Sequence, residues 1–281
     1  MHCSLGLILG RMEAPDRPLV VVRGSGDIGS AVAHRLFRAG YPVAIHDEPA
    51  PAAPRRGMAL TDAIFDGSAT LAGLKARRID AVADLAAAVC ESIAIYVGDF
   101  DDLLAALCPG VLVDARMRKR AAPDPQVSLA PLTIGLGPNF VAGTTTHLVI
   151  ETEWGDRLGT VITQGCSAPL AGEPRTYGGH ARDRFVYAPA AGVFRTSCQI
   201  GDVVEAGTQV ATLDGQPLTA PLSGILRGLT HDEVTIAAGT KCVEVDPRGD
   251  RANVIGIGER PGTIAKGVLA AIEGGAGGGT P

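Results

Sequence analysis

The chain has 281 residues, 46% hydrophobic and 20% charged, with a formal net charge of −5, a composition with room for one large or two moderate globular domains. The acidic balance and an aromatic content of 4% argue against a nucleic-acid surface. No apolar run approaches the ~20 residues of a membrane span, and the apolar residues 5–9 are too short, and lack the positive flank, for a secretory signal. These features point to the cytoplasm, with neither nucleic acid nor membrane as partner.

The six cysteines (Cys3, Cys90, Cys108, Cys166, Cys198, Cys242) lie far apart, without a C-x-x-C or zinc-like pair. No metal site is expected, and the thiols read as reduced and structural. The one dense basic run, Arg116, Arg118, Lys119 and Arg120, reads as a solvated loop rather than an anion site.

Residues 1–17 read as a flexible extension, closed by Pro15 and Pro18. Residues 19–23 are a continuous β-branched run, the pattern of a buried parallel strand. Gly24-Ser25-Gly26 follows. Residues 28–39 have helical spacing, with Ile28, Val32 and Leu36 on one face and Gly40 as the stop. Residues 42–46 are a second strand and complete a βαβ unit. The proline-rich stretch 49–54 is a loop. Helices are predicted over 61–65, 80–89 and 101–107, and strands over 92–97, 111–114 and 132–136. This alternation gives residues 18–146 the pattern of a Rossmann-like nucleotide-binding domain built on a parallel sheet.

From residue 147 strand-length runs alternate with glycine-rich turns, at 147–152, 159–163, 184–187, 192–195, 208–213, 224–227 and 241–245, which argues for a mainly β domain over 147–273. A helix is predicted over 263–272, and residues 274–281 read as a disordered tail. Ala188-Pro189-Ala190-Ala191-Gly192 and Ala220-Pro221-Leu222-Ser223-Gly224 are similar half-motifs on either side of Gly201-Asp202-Val203-Val204-Glu205-Ala206-Gly207. These patterns resemble the biotinyl/lipoyl carrier fold over about 184–246. The expected fold class is therefore α/β, with a Rossmann-like parallel sheet followed by an all-β barrel-sandwich module. A carrier presents a lysine on its hairpin tip. Here the tip is Leu213-Asp214-Gly215-Gln216-Pro217-Leu218, without a lysine, so no covalent biotin or lipoate is expected, and the module reads as a docking or packing unit.

Gly24-Ser25-Gly26-Asp27-Ile28-Gly29 fits G-x-G-x-x-G between a strand and a helix. In that motif the first glycine allows the tight turn, the second lets the backbone approach a pyrophosphate, and the third lets helix and strand pack closely. The helix N-terminus offers its N–H groups to the phosphates. Asp47, with Glu48 beside it, lies about 20 residues past the turn, where an acid would bond the adenine ribose and favour NAD. Gly24, Ser25, Gly26, Asp27, Gly29, Asp47 and Glu48 are thus the candidate cofactor-binding residues. Arg55-Arg56 reads as loop surface rather than as a partner for a 2′-phosphate.

Asp114 ends a predicted strand, where ligands bind in open sheets, and Arg116 follows it. With His147 these are the candidate catalytic residues, although an Asp capping a turn and a packed His are the competing readings. No paired-carboxylate, G-x-S-x-G or H-x-x-x-H constellation is present.

Several blocks come in a familiar order: Val22 to Asp27, Arg55-Arg56, Val111 to Met117 with its Asp114-Ala115-Arg116-Met117, Gly135 to Gly143, His147 to Thr152 with its Val149-Ile150-Glu151-Thr152, Leu158 to Ile162, and Asp246-Pro247-Arg248. From about residue 20 to 272 the chain resembles the YqeB-type proteins of the selenium-dependent molybdenum hydroxylase system. The resemblance implies an accessory role in maturing molybdenum hydroxylases, as with the XdhC proteins, and hydroxylase subunits or other maturation proteins as partners. Homo-oligomerisation stays open. The chain departs from the pattern at Trp154-Gly155-Asp156 and at Gly258 to Gly262.

The leading expectation is an accessory protein that binds a nucleotide-bearing ligand, NAD or a molybdopterin dinucleotide. The alternative is an NAD-dependent oxidoreductase of a small substrate with His147 as base. A third reading, a sulfuration helper, would place a persulfide on a cysteine such as Cys166.

Overall fold

A computed structural model describes residues 17–118, 121–169 and 174–275. The expected extension up to residue 16, the tail beyond residue 275, and Lys119 and Arg120 lie outside the described residues. The first strand, β1 (Val20–Arg23), is apolar throughout its first three residues because it lies mid-sheet. It turns through the glycines into α1 (Asp27–Arg38), and β2 (Val43–His46) returns parallel beside it. Then come α2 (Asp62–Asp66), the hairpin of β3 (Ser68–Leu71) and β4 (Leu74–Arg78), α3 (Leu85–Glu91), β5 (Ile93–Tyr96), α4 (Phe100–Leu107), β6 (Val111–Asp114) and β7 (Leu132–Leu136). The segments β8 (Val141–Ala142), β9 (Leu148–Ile150), β10 (Val161–Ile162) and β11 (Gly165–Cys166) follow; β8 pairs with β11, and the other two join the main sheet.

The main sheet has nine strands in the order β10-β9-β7-β6-β1-β2-β5-β4-β3. This corrects the expected fold class. The sheet is mixed: its interior strands are parallel, but β3 and β10 run antiparallel at the two edges. Each edge strand is tied to its neighbour by a link too short for a crossover. The β3–β4 hairpin was hidden because its turn is Ala72-Gly73, with φ of 44° and 83°. Both residues are left-handed, a turn usually signalled by Asn-Gly or Asp-Gly. Residues on both sides of position 147 build this layer. The last helix, α5 (Glu259–Gly275), packs Ile264, Val268 and Ile272 into the same core as Ile28, Val32 and Leu36 of α1.

The later strands are β12 (Phe185–Tyr187), β13 (Gly192–Arg195), β14 (Val203–Val204), β15 (Gln209–Leu213), β16 (Gln216–Thr219), β17 (Gly224–Leu229), β18 (Thr235–Ile236) and β19 (Lys241–Asp246). They form two separate four-stranded sheets, β12-β19-β17-β14 and β16-β15-β13-β18, in place of the expected lipoyl-like barrel. Phe194, Leu226, Val243 and Val245 fill the core they share. Among the described residues no helix is long and apolar enough to cross a membrane.

Candidate functional site

Because β1, β2 and β6 are parallel and in register, Arg23, His46 and Asp114 sit side by side at one edge of the sheet. A cleft of about 880 Å³ opens between that edge and the strands β12, β17 and β19. Among the described residues nine arginines and one lysine line it, against five carboxylates. The carboxyl edge of parallel strands is where open sheets place ligands.

The glycine turn lies in this cleft. Gly24 has a φ of 103°, and a Cβ there would come within 3.1 Å of the Arg116 backbone. At Gly29 a Cβ would collide with the carbonyl oxygen of Gly24. Gly26 differs: a Cβ there would meet nothing within 4 Å, so its backbone faces open space. Asp27 and Glu48 also line the cleft. Ser25 does not reach it, being fully buried, with N–H and hydroxyl both donated to Asp47 Oδ2 at 2.6 Å. The second Asp47 oxygen accepts the Glu48 N–H at 2.9 Å. The acid expected on a ribose is thus engaged in bracing the turn.

Asp114 is buried and accepts bonds from the Arg116 N–H and guanidinium and from Gln126 Nε2 at 2.8 Å. Burial alone would raise its carboxyl, but the bonds from Arg116 hold it below the usual range. Its role is to fix Arg116, which lines the cleft with Arg23 and Arg118. The run read as a solvated loop therefore supplies part of the cleft. Burial, with Arg116 close by, lowers Arg23 to about 10. Asp246 holds Arg248 in the same manner, with the backbone N–H at 3.1 Å and Nε at 2.9 Å on one carboxylate oxygen. His147 lies elsewhere. Its Nδ1 accepts the Thr133 N–H at 3.0 Å, and it does not line the cleft.

The facing wall centres on Glu244, which sequence reasoning passed over. Its carboxylate is fully buried and meets Arg55 at 2.9 Å, Lys241 at 3.1 Å, Arg227 at 3.5 Å and the buried Arg184. Burial opposes its charge, but Arg55 and Lys241 overcome that and hold it well below the normal range. Burial, reinforced by Arg55, brings Lys241 down to about 8. A β-bulge in the β12–β19 pairing re-aims the strand, so that Lys241 and Glu244 reach each other three positions apart. Arg55, read as loop surface, instead spans the cleft floor, from Glu244 to Asp27 at 2.9 Å. Burial pushes the Asp27 carboxyl up, and Arg55 more than offsets it. The Nε atoms of Arg23, Arg184 and Arg227 are buried without a hydrogen-bond partner among the described residues. Only the short charge runs in residues 241–246 and the isolated Arg184 and Arg227 hinted at this wall, and nothing local says which buried strand positions converge.

The chain is 38% identical over 269 residues, 94% of its length, to the YqeB protein of Escherichia coli (strain K12). It spans about half, 49%, of that relative's length. No protein-family model matches. Three solved structures bear a weak likeness. An aspartoacylase family protein from Mesorhizobium loti is 14% identical, with a TM-score of 0.26 over 82% of this chain and 85% of that one. A succinylglutamate desuccinylase from Silicibacter sp. TM1040 is 11% identical, with a TM-score of 0.24 over 82% and 84%. A succinylglutamate desuccinylase/aspartoacylase from Rhodobacter sphaeroides is 18% identical, with a TM-score of 0.22 over 54% and 65%. Scores this low transfer neither fold nor reaction. The expected XdhC-like description is cut back to this similarity with a YqeB protein, and the Rossmann and lipoyl-like descriptions give way to the sheets described above.

Proposed function

We propose that the cleft binds a nucleotide-bearing ligand, with its phosphates between the glycine turn and Arg23, Arg116 and Arg118. The observation that carries this reading is the surplus of cations among the described residues that line the cleft, ten against five carboxylates. Buried charge is costly unless compensated, and arginine forks match phosphate oxygens. The open face of Gly26 and the N-terminus of α1 add a backbone approach and a favourable dipole. NAD, suggested by the glycine turn, and a molybdopterin dinucleotide, suggested by the family resemblance, both carry a pyrophosphate and are the first ligands to try. An accessory role toward molybdenum hydroxylases follows only if the second is the one bound. Oxidoreduction with NAD would need a base other than His147, which stands outside the cleft. The activity and partners of the whole protein belong to this same proposal.

The test is thermal shift with NAD, NADP, ATP, FAD and a molybdopterin dinucleotide, on the wild type and on Gly26→Trp. Gly26 has an ordinary φ of −63° and open space beside it, so the indole fills the cleft without disturbing the core. The expected result is a rise in Tm with at least one nucleotide, lost in Gly26→Trp while that variant keeps its own Tm. No rise with any of them would overturn the reading.

A further inference from the structure

Two groups stand out among the cations in and around the cleft. At the glycine turn stand Arg23, Arg116 and Arg118, with Asp114 tying the first two. On the facing wall Arg55, Arg184, Arg227 and Lys241, together with Arg248 outside the cleft lining, share Asp27, Glu244 and Asp246 among the described residues. That network keeps a positive surplus, and Arg184 and Arg227 are more than nine-tenths buried. Both guanidiniums also stack on the Tyr177 ring, at 4.9 Å and 5.2 Å from its centre. Like charges held this close in a dry wall repel one another strongly, and a bound anion relieves that repulsion. Arg55 runs between the groups with its donors engaged by Asp27 and Glu244, so a neutralised pair separates two positive patches.

We infer that the wall formed by Arg184, Arg227 and Lys241 around Glu244 is a second anion subsite, and that the ligand of the cleft carries two separated anionic groups. The inference rests on the anion-binding reading above and narrows it. A mononucleotide with all its charge in one phosphate chain fills only one patch. A dinucleotide, or a nucleotide with a carboxylate or phosphate at its far end, fills both.

The test is equilibrium dialysis of the full chain against inorganic pyrophosphate, with Arg118→Gln and Lys241→Gln beside the wild type. Arg118 is exposed and Lys241 partly so, and a thermal melt checks that each variant is folded. Two equivalents are expected for the wild type. Lys241→Gln weakens one of them at least five-fold, Arg118→Gln weakens the other, and Lys241→Arg restores the first. A single equivalent that ignores Lys241→Gln would overturn the second subsite and leave the first. Two equivalents that both ignore it would also overturn this placement. No binding of pyrophosphate or of any nucleotide would overturn the anion-binding reading itself.

Discussion

Ser25 donates both its backbone N–H and its hydroxyl to a single oxygen of Asp47, at 2.6 Å each. Spacing marks Asp47 for an adenine ribose, yet its carboxylate holds the glycine turn onto the end of β2. Asp47→Ala is expected to cost about 2 kcal/mol in urea unfolding, because two charge-assisted bonds are lost and Ser25 stays buried. It should weaken NAD and NADP by the same factor. A selective ten-fold loss of NAD alone would show that the carboxylate reads the ribose after all.

Gly26 and Gly29 of the turn should separate cleanly on substitution. Gly29→Ala drives a methyl into the Gly24 carbonyl, and backbone cannot yield as a flexible side chain can. A loss of about 3 kcal/mol is expected, or failure to fold. Gly26→Ala meets open space, so its Tm should stay close to the wild type. Equal losses at both positions would contradict the packing described.

Glu244 is the hub of the facing wall. Glu244→Gln leaves its buried cations undercompensated and is expected to cost about 3–5 kcal/mol. Glu244, Asp114 and Asp246 all sit below the ordinary carboxylate range in the fold. Their stabilisation is complete above the unfolded values near pH ~4 and is lost as pH falls through the depressed folded ones. Acid unfolding curves of wild type and Glu244→Gln should converge in that window. Curves that stay parallel there would rule out the contribution assigned to Glu244.

Lys241 gives the opposite window. Its folded value, about 8, lies below the unfolded value near 10.5, so the unfolded chain holds the extra proton between them. Stability contributed through Lys241 therefore rises as pH increases from about 8 to about 10.5. Denaturant unfolding at pH 7.5 and pH 10 should show the wild type gaining about 2 kcal/mol relative to Lys241→Met. No relative gain would mean the ammonium is not held in a dry, cationic setting.

Much of the first layer was legible because its signals are local. The β-branched run before Gly24 and the Ile28, Val32, Leu36 stripe gave β1 and α1 close to their observed ends. The β3–β4 hairpin escaped because Ala72 stands where a polar turn residue usually signals the turn. Parallel or mixed could not be told from strand patterns alone, since edge pairing depends on how β9 and β10 return to the sheet. Of the residues that line the cleft, Gly26 and Arg116 could be named from position in the motif and at the strand end. Glu244, Arg184, Arg227 and Lys241 could not, because they meet only in the fold: Arg55 reaches Glu244 across 189 positions of sequence and Arg184 reaches it across 60. Long-range convergence on one carboxylate leaves no periodic trace in a single sequence.

The central claim is that the cleft between the glycine turn and the Glu244 wall is an anion site. Crystals of the chain soaked in inorganic pyrophosphate test it most directly. The expected result is density in the cleft beside the open face of Gly26, within hydrogen-bond reach of Arg116 or Arg23. A cleft left empty at saturating pyrophosphate, with the anion bound elsewhere or nowhere, would contradict it.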